Sequence, residues 1–83
     1  KNVRIYSIAI DESLRRQHFA EKLLAYCEDQ IWKNHFRVIS LEIREDNVAS
    51  QRFFSKFGYQ NYGKKAHFYE DNATALLYLK TKV

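Results

Sequence analysis

Residues 37–59 read RVISLEIREDNVASQRFFSKFGY, and the pattern in this stretch sets the architecture of the chain. From 37 to 44 polar and apolar residues alternate. Val38, Ser40, Glu42 and Arg44 point one way, and Arg37, Ile39, Leu41 and Ile43 the other, which is the period of a strand. Asn47 then stands where a helix N-cap belongs, its side-chain oxygen placed to accept an orphan backbone N–H. A short helix follows with Ala49, Phe53, Phe54 and Phe57 inward, and Gly58 supplies the left-handed residue that ends it.

Upstream, apolar residues at Phe19, Leu23, Leu24, Cys27 and Ile31 fall in steps of three and four, an amphipathic helix over 16–33. Glu21, Lys22, Glu28 and Asp29 lie on or beside its wet face, and Lys33 and His35 sit near its carbonyl-rich end. Tyr26, Trp32 and Phe36 are expected to pack around that end, and Cys27 belongs to the core. Residues 1–10, KNVRIYSIAI, carry the β-branched and aromatic density of a first strand, and 11–15 make a polar turn. Downstream, 59–62 and 66–69 read as one strand interrupted near Gly63. Asp71-Asn72 marks a turn, and 73–80 is the last strand.

The order is β-α-β-α-β-β, an α+β fold with a mixed sheet. The first two strands are joined through a helix and should be parallel with a right-handed crossover. The last two form an antiparallel hairpin, an order unlike the βαββαβ of a ferredoxin-like domain. With no repeats, no proline and no linker composition, residues 1–83 read as one unit.

Composition narrows the function. Six Tyr, six Phe and one Trp in 83 residues rule out disorder, although a chain this short buries only roughly 60–65% of its surface. No apolar run approaches a membrane span, and no signal-peptide pattern opens the chain. A single cysteine excludes an internal disulfide framework and suits a reducing, cytoplasmic setting. That cysteine and the scattered His18, His35 and His67 lack zinc-ligand spacing, so no metal is expected. The balance of 14 Lys+Arg against 10 Asp+Glu, net +4, favours anionic partners, phosphorylated cofactors among them. Its cations are spread out, with no nucleic-acid-binding motif. The chain begins with Lys1, as a fragment or a processed product would.

A strand ending in Ile8-Ala9-Ile10 feeds a polar loop, and Arg15-Arg16-Gln17-His18-Phe19-Ala20 opens the helix. The first N–H groups of a helix lack intrahelical acceptors and point outward, a ready place for a diphosphate. Arg15 and Arg16 add charge there. Basic residues before a helix are also common for plain solvation, and both readings stand at this point.

Leu41-Glu42-Ile43-Arg44, Asn47, Ala49, Phe53-Phe54 and Lys56-Phe57-Gly58-Tyr59 together resemble the LEVR…N..A..LY.K.GF signature of the Gcn5-related N-acetyltransferases. RRQHFA occupies the place of that family's Q/R-x-x-G-x-G/A acetyl-CoA loop. The resemblance covers nearly the whole chain and is nearest to the ribosomal-protein-alanine type. It implies acetyl transfer from acetyl-CoA to a primary amine, on a protein N-terminus or a small molecule. In such enzymes the first strand here splays from the second, and the pantetheine arm pairs with the backbone of Ile8, Ala9 and Ile10. One N–H there polarises the thioester carbonyl. Backbone N–H groups of Arg15, Arg16, Gln17, His18, Phe19 and Ala20 would hold the pyrophosphate, with Asn47 and Phe54 beside the cofactor arm. Asn47 as a plain cap fits equally. A bulky residue at Ala20 is expected to weaken CoA binding without unfolding the chain.

The chain departs from the family in three ways. The match covers only the family's C-terminal portion, so much of the acceptor-amine side is missing. The first strand then has an edge that a separate segment or a second copy would complete, by homodimer or strand swap. His18 replaces a loop glycine. Phe54 stands where many members have the tyrosine that protonates the departing thiolate, and phenylalanine has no proton to give. Tyr69, following Phe68 at the end of the penultimate strand, resembles a tyrosine serving this purpose in the ribosomal-alanine type. Glu42 is the candidate base, through water. An edge-strand tyrosine and an exposed strand carboxylate are the plainer readings of these two. The alternative to an enzyme is a CoA-binding half-domain that assembles without turning over.

Overall fold

A computed structural model describes residues 2–4 and 17–82. Along them run β1 (Asn2–Arg4), α1 (Gln17–Lys33), β2 (Val38–Arg44), α2 (Val48–Lys56), β3 (Gln60–Lys65) and β4 (Ala75–Thr81). They form one sheet in the order β1-β2-β4-β3. β1 is parallel to β2, with Asn2 opposite Val38 and Arg4 opposite Ser40. β4 lies antiparallel to both β2 and β3, so the expected order and hairpin are present.

The alternation in β2 divides the sheet into two faces. Ile39 and Leu41 are fully buried and Ile43 nearly so, while Val38, Ser40, Glu42 and Arg44 are half-buried. Residues opposite one another in an antiparallel pair share a face. Tyr78, opposite Leu41, and Leu76, opposite Ile43, therefore join the apolar side. Both helices cover that side: Ala20 and Leu24 of α1 meet Phe53 and Phe54 of α2 and the β2 side chains in one core.

Four expectations need correction. Phe19 is 56% exposed, and Tyr26 also faces solvent. The stripe of α1 that meets the sheet runs through Ala20, Leu24 and Ile31, one residue round from Phe19, because the small Ala20 admits the closest approach. Ala49 is exposed and Ser50 is fully buried in its place, a shift of one residue about the axis of α2. Residues 66–69 are not strand. β3 runs without a break to Lys65, with a bulge between Asn61 and Gly63, and the chain then turns through His67 at φ 57°. β3 is exposed along its whole length, and Lys64 and Lys65 on an outer strand discourage pairing with another sheet.

Glu28 is the fourth. It turns inward, leaving only 13% of its side chain exposed. The Tyr59 hydroxyl donates to Glu28 Oε2 at 2.7 Å, and Lys80 Nζ lies 3.0 and 3.2 Å from the two carboxylate oxygens. This clasp ties α1 to β4 and to the start of β3. Burial, then the bond to Glu28, pushes the Tyr59 phenol well above its ordinary range. The phenol's contribution to stability is complete below about pH 10 and is lost as pH rises beyond that.

Both helices end in the same way. In α2 the N–H of Gly58 donates to the Ser55 carbonyl and that of Tyr59 to the Phe54 carbonyl, with Gly58 at φ 94°. The Phe54 and Tyr59 rings, 5.3 Å apart, make the accompanying apolar contact. In α1 His35 donates to Trp32 and Phe36 to Ile31, with His35 at φ 69°. One cap therefore carries glycine and the other a side chain that resists this backbone. Gly58→Ala should cost about 1 kcal/mol, and His35→Gly should gain about 0.5–1 kcal/mol. A Cβ at Gly58 would meet Lys80 Cε at 3.5 Å, an ordinary contact, so that cost belongs to the backbone. Urea midpoints of the two variants moving in the same direction would refute the pairing.

Candidate functional site

The register shows which end of the sheet gathers the candidate residues. Glu28 of α1 pairs with Lys80, which stands opposite Ile39 near the start of β2. From Glu28 back to His18 the helix travels about 15 Å, and from Ile39 to Arg44 β2 travels about 17 Å. The first turn of α1 therefore lies toward the end of β2, where Arg44, Asn47 and the loop 66–74 also lie.

Among the described residues α1 runs from Gln17, and its N-terminal end is the end toward which helix N–H groups point. The His18 side chain is 99% exposed, with Nδ1 3.7 Å from Glu21 Oε2. Ala20 is fully buried in the core. A bulky residue there would break packing, contrary to the expectation that it would act on binding alone. Ile8, Ala9, Ile10, Arg15 and Arg16 lie outside the described residues, as does the course of the first strand beyond Arg4.

At the other edge of this end, Asn47 caps α2: its Oδ1 accepts from the Ser50 N–H at 3.1 Å. Arg44, the last residue of β2, grips two carboxylates. Nη1 and Nη2 reach Asp71 Oδ1 and Oδ2 at 3.1 and 2.8 Å, a two-pronged pair, and Nε reaches Asp46 Oδ1 at 3.1 Å. The Arg44 guanidinium carbon sits 5.1 Å from the centre of the Tyr69 ring. The hydrogen bonds it donates to Asp71 and then Asp46 hold Arg44 protonated, and the same bonds hold both carboxyls below the usual carboxylate range. Their contribution is in place above about pH 4 and fades as pH falls through the lowered values.

Tyr69 thus lies in the turn between β3 and β4, half-buried, not at the end of a strand. The Phe68 ring meets it edge-on at 5.0 Å, and Lys65 Nζ lies 5.7 Å from the Phe68 ring centre. Glu42 projects from the same face of β2 as Arg44, two residues earlier and opposite Leu77. Phe54 is fully buried between Phe53 and Tyr59, so its described contacts are with the core. The sequence reading did not single out Arg44, Asp46 or Asp71 for a role of their own. Arg44 and Asp46 lie two apart beside the cap, a local signal, whereas Asp71 is brought in only by the hairpin.

This arrangement can be compared with known proteins. The model of the acetyltransferase (GNAT) family matches residues 1–59, from β1 to the turn that closes α2. The chain belongs to that family. An uncharacterized N-acetyltransferase of Methanocaldococcus jannaschii is 30% identical over 82 residues, 98% of this chain and 53% of that protein. A Bacillus subtilis protein provisionally named a ribosomal-protein-bS18-alanine N-acetyltransferase is 32% identical over 71 residues, 86% of this chain and 47% of its own. The crystal structure of Ard1 from Thermoplasma volcanium superposes with a TM-score of 0.86 at 25% identity, over 96% of this chain and 54% of that one. The chain spans about half the length of the curated relatives it matches. No helix among the described residues is long and apolar enough to cross a membrane.

Proposed function

We propose that this chain carries the acetyl-CoA side of an N-acetyltransferase, which moves an acetyl group from acetyl-CoA to a primary amine. The observation that carries the reading is the family match, because it spans the β1-α1-β2-α2 unit, and the N-terminal end of a helix such as α1 suits a diphosphate. The N–H groups of Gln17, His18, Phe19 and Ala20, with those of Arg15 and Arg16, hold the pyrophosphate. Ile8, Ala9 and Ile10 pair with the pantetheine arm, and one of their N–H groups stabilises the oxyanion. Asn47, while capping α2, faces the arm, and Phe54 backs it from the core.

The amine nitrogen attacks the thioester carbonyl after giving a proton to Glu42 through water. The tetrahedral intermediate expels the CoA thiolate, which takes a proton from the Tyr69 hydroxyl, and the second proton shed by the nitrogen as the amide forms returns through water to Tyr69. A protein N-terminal amine is the favoured acceptor, because the bacterial relative's name states acetylation of a ribosomal protein's alanine. The cytoplasm, where acetyl-CoA and a free Cys27 thiol coexist, is the proposed setting.

One observation favours a second reading. The chain spans about half of its relatives, so a half-domain that binds CoA and needs a partner segment or a second copy is the alternative. A thermal-shift titration with CoA, followed by mass spectrometry of amine-bearing peptides incubated with acetyl-CoA, tests both. At CoA a hundredfold above its Kd, a ligand that binds only the folded chain adds about 2.7 kcal/mol. A folded chain that shows no shift removes the CoA site. A shift without acetylation of any peptide selects the half-domain.

A further inference from the structure

We propose that Arg44 is a positioning residue for acyl transfer, locking the loop that carries Tyr69 onto the turn that carries Asn47. The inference rests on the acetyltransferase reading and adds to it a group that touches neither cofactor nor amine. Three observations converge on it. First, the guanidinium uses its whole fork, two N–H groups on Asp71 in the loop and Nε on Asp46 in the turn, while its central carbon lies over the Tyr69 ring, 5.1 Å from the ring centre. Second, the backbone repeats the join, the Glu45 N–H donating to the Thr74 carbonyl at 2.9 Å. The Gln51 side chain holds the turn to α2, its Nε2 donating to the Arg44 and Glu45 carbonyls at 3.4 and 2.8 Å. Third, the loop is shaped around the same point. Asp71 Oδ1 also accepts from the Ala73 N–H at 3.2 Å, and the Asn72 N–H closes onto the Tyr69 carbonyl at 2.9 Å with Asn72 at φ 65°.

Magnitude separates this from a stability role. The Asp46 and Asp71 side chains are 72% and 59% exposed, and surface ion pairs of this kind add little to global stability. What the cluster supplies is geometry. A lysine keeps the charge but cannot span two carboxylates with a planar fork, so Arg44→Lys should behave like Arg44→Met. Displacing a reacting group by about 1 Å costs on the order of 100-fold in rate.

Two measurements on the whole chain test it. Amide exchange should quicken by about tenfold or more at Glu45, Asn72 and Ala73 in Arg44→Met and Arg44→Lys, with the β2–β4 ladder unchanged. In acetylation assays both variants should lose about 10-fold or more in kcat, with KM for acetyl-CoA within about threefold. That kcat loss should largely vanish when Arg44→Met is made in a Tyr69→Phe background, the mark of two residues acting through one another. Unchanged exchange overturns the lock. Rescue by lysine reduces Arg44 to a charge, and an equal kcat loss in the Tyr69→Phe background removes the link to Tyr69; either result overturns the proposal while the transferase reading stands. A wild-type chain that binds CoA yet never acetylates fails the transferase reading itself and takes this role down with it.

Discussion

Phe54→Ala should bring the chain close to unfolding. Phe54 has no exposed surface, packs edge-on against Phe53 at 5.2 Å and Tyr59 at 5.3 Å, and supplies the carbonyl that closes the cap of α2. Truncating a buried phenylalanine costs about 3–5 kcal/mol through lost burial and the cavity left behind. Domains of this size hold roughly 0.05–0.15 kcal/mol per residue, so one side chain accounts for a large share of the total. Chemical denaturation would show the midpoint collapsing toward zero denaturant. Phe54→Leu, which refills most of the volume, should recover over half of the loss. A Phe54→Ala variant with a midpoint near wild type would mean that the core is centred elsewhere.

Tyr69→Phe carries the largest effect expected on turnover. It removes one hydroxyl and keeps the ring that lies beneath Arg44 and meets Phe68 edge-on, so packing is held nearly constant while the proton is taken away. General acid catalysis contributes about 10²–10⁴-fold, and the loss should appear in kcat at that scale. Acetyl-CoA affinity should stay within about twofold, because the proposed phosphate and pantetheine contacts lie at α1 and the first strand. Calorimetry with CoA and initial rates with an acceptor peptide separate the two quantities. Equal rates would reduce Tyr69 to a packing residue in the hairpin turn.

Much of the architecture is legible in short windows of the chain. Alternation in 37–44 needs only a pleated backbone with one wet face, and β2 buries Ile39, Leu41 and Ile43 as that pattern requires. Asn47 and Gly58 mark the ends of α2 because capping is a contact among neighbours within a few residues. The alternation of strand and helix likewise dictates parallel pairing of β1 with β2.

The misses are all matters of which neighbour wins. Phe19 and Ala20 both sit within the apolar stripe's width, and only the approach of the sheet selects the smaller one. Glu28 looks solvated until Lys80 and Tyr59, far along the chain, arrive to satisfy it. Residues 66–69 have strand-like composition, yet the hairpin needs them as its turn, and Arg44 claims Tyr69 from another strand.

The order of elements, their caps and the buried face of β2 were therefore written locally, in the spacing and type of residues that touch within a turn or a pleat. The Glu28–Lys80 clasp and the Arg44–Asp71–Tyr69 cluster were settled only when the hairpin folded back. They join residues 52 and 27 positions apart respectively, and no local pattern encodes a partner that only the closed sheet brings into hydrogen-bond reach.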